Sequence, residues 1–153
     1  MKAVIQRVDG AELSVDGNAV AKIGRGLAVY VGIEQSDTEA DVIAMCGKIC
    51  AMRIFSDDAG KMNLSVADVG GEILLISNFT LCADISHGNR PSFTGAMRPP
   101  AAASVMFDYC VNVMCDLMRE RGGADKVKCG VFGADMRITQ VNSGPVTIVY
   151  QKS

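Results

Sequence analysis

The chain is poor in the residue types from which enzymes most often build a reactive centre. It holds a single histidine, His87, in the polar segment between Cys82 and Pro100. A serine or threonine nucleophile ordinarily needs a base within hydrogen-bond reach, so a Ser-His-Asp triad is not expected on that one loop imidazole. Zinc ligands are equally short. Cys46 and Cys50 lie four positions apart on an expected helix, but no second pair stands at ligand spacing, and neither a metal nor a cofactor is expected. The P-loop, the dinucleotide-binding glycine turn and the HExxH pattern are all missing. Basic residues are not in excess, with 15 Lys and Arg against 17 Asp and Glu. That excludes a broad phosphate-tracking face and leaves nucleic acid, if bound, to a local site. No apolar run reaches the ~18 residues of a membrane span, and Met1-Lys2-Ala3-Val4-Ile5 enters a strand pattern rather than a signal sequence. A cytoplasmic protein without membrane attachment is the expectation.

What is present is ordinary globular composition, 49% hydrophobic and 21% charged over 153 residues, which suits one domain spanning 1–153. Six cysteines, at 46, 50, 82, 110, 115 and 129, fall mostly in apolar segments and read as reduced, buried thiols. Lys2–Val8 and Ala11–Val15 have strand character, and Asp16-Gly17 marks a hairpin into a further strand ending near Ile23. Leu27–Ile33 is a near-continuous apolar run, as in a strand covered on both faces. Thr38-Glu39-Ala40-Asp41 has the form of a capping box ahead of a helix from Glu39 to near Met52. A short strand follows at Arg53–Ser56, closed by the Asp57-Asp58-Ala59-Gly60 turn, where two adjacent carboxylates on a solvated turn diverge. A second helix is expected from Pro100 to about Arg121, with Val105, Met106, Tyr109, Val113 and Leu117 inward and Cys110 beside them. Strands at Lys126–Gly130, Met136–Asn142 and Val146–Gln151 complete the chain, the last two joined by a tight Asn142-Ser143-Gly144-Pro145 turn. Only two helices interrupt the strands, so a mixed sheet or two stacked sheets with helices on one side is expected rather than regular βαβ winding.

Two stretches invite chemistry. Ile73–Leu81 passes from four large aliphatics straight into Ser77, Asn78 and Thr80, as at the carboxyl end of a buried strand, where open sheets bind ligands. Backbone N–H groups, a threonine hydroxyl and an amide can stabilise an oxyanion without acting as acids or bases. An ordinary loop start explains the same residues. Gly144-Pro145 is the second, because a Gly-Pro in a tight turn can be cis and holds its carbonyls in a fixed direction; an ordinary hairpin turn is the bland alternative.

Several segments in order resemble the D-aminoacyl-tRNA deacylases: Ala3–Val8, Asp37–Asp41, Arg53–Phe55 with Gly60–Val66, Ser77–Leu81, Gly88–Phe93, Gly130–Met136 and Asn142–Thr147. The resemblance implies a single-domain, three-layer β/β/α fold of mixed α/β type with two main helices. It implies a cytoplasmic homodimer that hydrolyses the ester joining a D-amino acid, or glycine mischarged on the alanine tRNA, to the 3′-terminal adenosine. The function so implied is chiral proofreading in translation quality control.

Transferred residue by residue, the resemblance makes Ser77, Asn78, Phe79 and Thr80 the strand that faces the scissile ester. Gly144 and Pro145 resemble the family's Gly-cis-Pro element, which reaches from one subunit into the other's site and selects against L side chains, and Arg7 resembles the residue that fixes it. Phe132, Gly133, Ala134 and Met136 are the implied walls of the adenine site. Asn78 stands where the family usually has glutamine, one methylene longer, and Ser143 where aspartate is common. In the scheme that follows, the terminal 2′-hydroxyl, or water activated with its help, serves in place of a base while N–H groups around Asn78, Phe79 and Thr80 hold the oxyanion. Thr80 as nucleophile is the competing scheme. A small-molecule esterase or amidase using Thr80 or Cys82, and a non-catalytic dimeric RNA-binding relative, are the alternative functions.

Overall fold

The computed structural model describes residues 1–152. Its strands are β1 (Lys2–Val15), β2 (Asn18–Ile23), β3 (Gly26–Gly32), β4 (Phe55–Ser56), β5 (Met62–Leu64), β6 (Glu72–Ser77), β7 (Val127–Cys129) and β8 (Met136–Gln151). Helix α1 (Glu39–Ala51) follows β3, and α2 (Pro100–Glu120) lies between β6 and β7.

The frame is β1, one continuous strand where the sequence suggests two. Its first half pairs antiparallel with β3, its second half pairs with β2, and β8 runs antiparallel along its length. The β1–β2 hairpin turns on Asp16 and Gly17, whose φ angles of 50° and 79° are both left-handed, as a two-residue primed turn requires. β3, β6 and β7 are parallel neighbours, each pair connected across a helix. The sheet is therefore mixed.

Alternation along β3 and β6 explains why both are apolar throughout. Leu27, Val29, Val31, Ile73 and Leu75 join a core with α1 and α2, whereas Ala28, Leu74 and Ile76 join Val8, Ala11, Leu13, Ala21 and Ile23 in a second core. Helices cover one face, and the second half of β1 with β2 and the start of β8 covers the other. That is the expected β/β/α layering. Asp41 of the capping box accepts the Thr38 N–H at 2.8 Å, fixing the start of α1.

The inward face of α2 differs from the expected one. Ala103, Phe107, Cys110, Met114 and Met118 are buried, while Val105 is 70% exposed and Met106, Tyr109, Val113 and Leu117 only flank the core. The helix is apolar on more than one side, and by length and composition it even meets the requirement for a membrane span. Its rotation is set by what it meets. Cys46 and Cys110 bring their sulfurs within 3.6 Å, and Cys50 meets the Met114 sulfur at 3.1 Å. Burial pushes the Cys50 thiol up to about 11, and a hydrogen bond with Cys110 together with burial raises that of Cys46. These thiols are protonated packing groups at neutral pH.

Candidate active site

β6 ends at Ser77, short of the Leu81 expected from its composition, and Phe79–Cys82 close into one 3-10 turn. The last rung of the ladder is the Asn78 N–H donating to the Val31 carbonyl at 2.8 Å. Beyond it the chain folds over Gly32. A Cβ there would lie 2.9 Å from the Leu81 side chain and 3.1 Å from the Asn78 carbonyl, so the turn is seated where only glycine leaves room. The polar run after the apolar strand is thus neither strand nor open loop.

A cavity of about 800 Å³ opens at this end of the sheet. Ser77, Asn78, Phe79 and Thr80 line it from one side, and Phe132, Gly133, Ala134 and Met136 from the turn that leads into β8. Eight residues singled out in the sequence therefore share one cavity. Tyr30, Phe93, Arg98 and Asp135 also line it. Phe93 and Asp135 fall within the resembling segments without an assigned role, Arg98 is expected from the sequence only as a phosphate contact, and Tyr30 is not set apart at all. Tyr30 sits inside an apolar run that reads only as strand. Phe93 lies in the long loop and packs edge-on against Phe79, ring centroids 5.1 Å apart. Bridges from Asp84 to Ser92 and from Glu34 to Ala96 fold that loop onto the cavity, and Gln35 accepts the Arg98 N–H at 2.9 Å.

The hydrogen bonds inside the site decide which groups are free. Thr80 Oγ1 donates to Asn78 Oδ1, so the asparagine side chain is spent on its own turn. The Asn78 N–H is committed to Val31, which removes it from the expected set of oxyanion donors. The N–H groups of Phe79 and Thr80 have no backbone acceptor among the described residues. Tyr30 donates its hydroxyl to Gln140 at 2.9 Å, and burial raises its pKa, so it stays neutral. No imidazole or carboxylate bonds to Thr80 among the described residues, and the exposed His87 does not line the cavity. Cys82 lies behind the turn, buried, with its thiol on the Ile33 carbonyl and its pKa raised by burial first and by Glu34 second. It is not placed as a nucleophile. Asp57 accepts the N–H groups of Ala59 and Lys61 and serves its turn.

Arg7, Gly144 and Pro145 are not at this cavity. The expected pair of strands around a tight turn is a single strand, β8, with an outward bow. Val8 pairs with Asn142 and Gln6 with Thr147, so Ser143, Gly144, Pro145 and Val146 stand opposite the single Arg7. Arg7 braces the bow from behind, donating from Nε to the Ser143 carbonyl at 3.2 Å and from Nη1 to the Ile54 carbonyl at 2.6 Å. The Gly144–Pro145 peptide is cis, and Gly144 has φ 126°, a region closed to most L side chains. The outer edge of β8 has no strand partner among the described residues, and Val141 and Val149 on it are 61% and 71% exposed.

The model of the family described as D-Tyr-tRNA(Tyr) deacylase matches residues 4–151. A D-aminoacyl-tRNA deacylase of Anaeromyxobacter dehalogenans (strain 2CP-C) is 47% identical over 97% of this chain and 95% of its own length. That of Geobacter sulfurreducens (strain ATCC 51573 / DSM 12127 / PCA) is 48% identical over 97% and 93%. Among solved structures, the c-Myc DNA Unwinding Element Binding Protein superposes with a TM-score of 0.92 at 38% identity, covering 100% of this chain and 99% of that one. A probable eukaryotic D-amino acid tRNA deacylase superposes with a TM-score of 0.80 over 97% of each chain. At 18% identity it speaks to the fold alone.

Proposed function

The chain belongs to the D-Tyr-tRNA(Tyr) deacylase family and is a D-aminoacyl-tRNA deacylase, and we propose that it cleaves the aminoacyl ester in the cavity beneath Thr80. The observation that carries this assignment is the convergence of Ser77–Thr80 and Phe132–Met136 on one cavity, with two unspent N–H groups and, among the described residues, no base bonded to Thr80. The terminal adenine lies against Phe132, Gly133, Ala134 and Met136, and the ester carbonyl points at the N–H groups of Phe79 and Thr80. Water attacks the carbonyl carbon. Its proton passes by way of the ribose 2′-hydroxyl to the departing 3′-oxygen, and free D-amino acid and tRNA leave. The negative charge that develops on the carbonyl oxygen is what the two N–H groups stabilise. Otherwise the enzyme positions the ester and limits water.

Chiral selection comes from a second copy of the chain. The bow at Gly144–Pro145 enters the partner's cavity, where its carbonyls hold the α-amino group and leave no space for an L side chain. Glycine has no side chain to reject and passes, which admits glycyl-tRNA. The exposed valines and unpaired edge of β8 support a homodimer joined along that strand. Arg7 holds the bow at the required height. The cytoplasm, where tRNA is charged, is the place of action.

Deacylation of D-Tyr-tRNA against L-Tyr-tRNA tests the reading, with a preference of about a hundredfold or more expected for the D form. Turnover of neither overturns the site assignment. Equal turnover of both removes the chiral role of Gly144–Pro145 and leaves the hydrolytic site standing.

A further inference from the structure

A second cavity, of about 250 Å³, is walled by Arg7, Asp9, Arg25, Phe55, Ser56 and Ser143, together with Val8. Its chemistry is one-sided. Two guanidinium groups meet one carboxylate, and none of the three forms an ion pair among the described residues. Part of the Arg7 fork is spent on the carbonyls of Ser143 and Ile54. Arg25 is different: its guanidinium lies over the buried Phe55 ring, 5.3 Å from the centroid, and its N–H donors have no acceptor among the described residues. Stacking on the ring fixes the plane of the fork while leaving its edge open. Ser56 and Ser143 line the same space. A cavity with a surplus of charged and neutral donors suits an anion with several acceptor oxygens, and a phosphodiester fits that description.

The first cavity offers no such surplus, since its one cation, Arg98, is matched by one carboxylate, Asp135. Position points the same way. Ser143 is both a wall of the second cavity and the residue before Gly144, so the cavity travels with the bow. We propose, resting on the reading in which Gly144–Pro145 meets the charged 3′ end across the dimer, that this cavity binds a backbone phosphate of the tRNA acceptor end. Arg25 is the phosphate-binding residue and Arg7 adds charge. Each subunit then supplies its partner with a stereochemical filter and, beside it, a grip on the RNA. A chain with net charge −2 has to meet nucleic acid at such a local site.

The test compares D-tyrosyl-tRNA with D-tyrosyl-adenosine, which carries the ester and the adenosine but no phosphate, on the wild type and on Arg25→Gln and Arg25→Lys. Arg25→Gln is expected to raise KM for the tRNA by about tenfold with kcat unchanged, and to flatten the log–log salt dependence by about one unit. Hydrolysis of D-tyrosyl-adenosine should stay within about twofold, and Arg25→Lys should recover most of the tRNA affinity. Equal loss on both substrates would mean that Arg25 only supports the fold, and no loss on the tRNA would make it surface charge; either overturns the proposal. So does an Arg25-dependent shift of the Ser56 and Ser143 amide resonances by inorganic phosphate without any change in KM for the tRNA, which marks a site for the free anion. If the wild type turns over neither substrate, the deacylase site assignment falls and takes this proposal with it, an outcome distinct from the others.

Discussion

Ser77–Thr80 and Ser143–Val146 both interrupt a strand, one by turning inward and the other by bowing outward. The inward turn is held on several sides: by the Val31 carbonyl, by the seat over Gly32 and by the Thr80–Asn78 hydrogen bond. It closes against a cavity that the same chain completes on its other wall. The outward bow lies on an exposed strand, braced by one long side chain, Arg7; Gly144 and Pro145 are exposed and line neither of the two cavities, whereas Ser143 borders the smaller one. A well-anchored polar turn is ready to hold a transition state, because donors fixed in advance need no reorganisation. A braced segment aimed away from the body of its own chain is ready to enter something else. The contrast divides the proposed labour: hydrolysis belongs to the inward turn and selection to the outward bow.

The largest effect expected from this division concerns the substrate. A D-tyrosyl-tRNA ending in 2′-deoxyadenosine should react at least about a hundredfold more slowly, because the inward turn has no base to replace the missing hydroxyl. Normal turnover in a single-turnover assay would show that the site holds a proton acceptor of its own. Next comes Gly144→Ala. A Cβ there would lie 2.9 Å from the Val146 nitrogen and 3.2 Å from Arg7 Nη2, at a φ of 126°. Strain of about 1–3 kcal/mol should displace the bow and cut D-Tyr-tRNA deacylation by tenfold or more. Activity and D-over-L preference that both survive this substitution would break the division at its outer half.

Thr80→Ala should do much less, a loss under about tenfold in kcat, because the hydroxyl is committed to Asn78 and only the backbone N–H is asked to act. A fall of several orders of magnitude would instead identify Thr80 as the nucleophile. The smallest effect lies at the far end of β8. Lys152 bonds Asp41 at 2.8 Å, and that bond, with those from Thr38, holds the Asp41 carboxyl down to about 2. A carboxyl depressed in the folded state stabilises it above the ordinary range and loses that contribution as pH falls through the folded pKa. Asp41→Asn should therefore lower the melting temperature slightly at neutral pH, and the gap to wild type should close between about pH 4 and pH 2. A gap that persists in acid would show that the substitution acts through the α1 cap rather than the charge.

Much of this architecture is legible residue by residue. Asp16-Gly17, the Thr38–Asp41 box and the Pro100 start of α2 are local signals, and they place a hairpin and two helices within a residue or two of their observed ends. Leu27–Ile33 and Ile73–Ile76 read as strands covered on both faces, and each divides its side chains between two cores. The same local logic fails where two answers cost the same. Either arc of α2 is apolar enough to face inward, and packing against Cys46 and Cys50 of α1 chooses the one with Phe107, Cys110 and Met114. Tyr30 carries no sequence mark as a cavity residue, because a tyrosine in a strand is ordinary at its position.

By itself, then, the sequence determined the two helices and most of the strand positions, the two-faced burial of β3 and β6, the want of any obvious base, and the family through its motifs. These rest on propensities and patterns that act over a few residues. Tertiary structure alone decided that Ser77–Thr80 and Phe132–Met136 share one cavity, that the Asn78 N–H is spent while those of Phe79 and Thr80 are not, and that Ser143–Val146 bows out instead of turning a hairpin. Each of those outcomes depends on residues far apart in the chain: Val31 with Asn78, Arg7 with Ser143, Gly32 with Leu81. Such contacts exist only once the sheet has closed, so no reading of neighbours along the chain contains them.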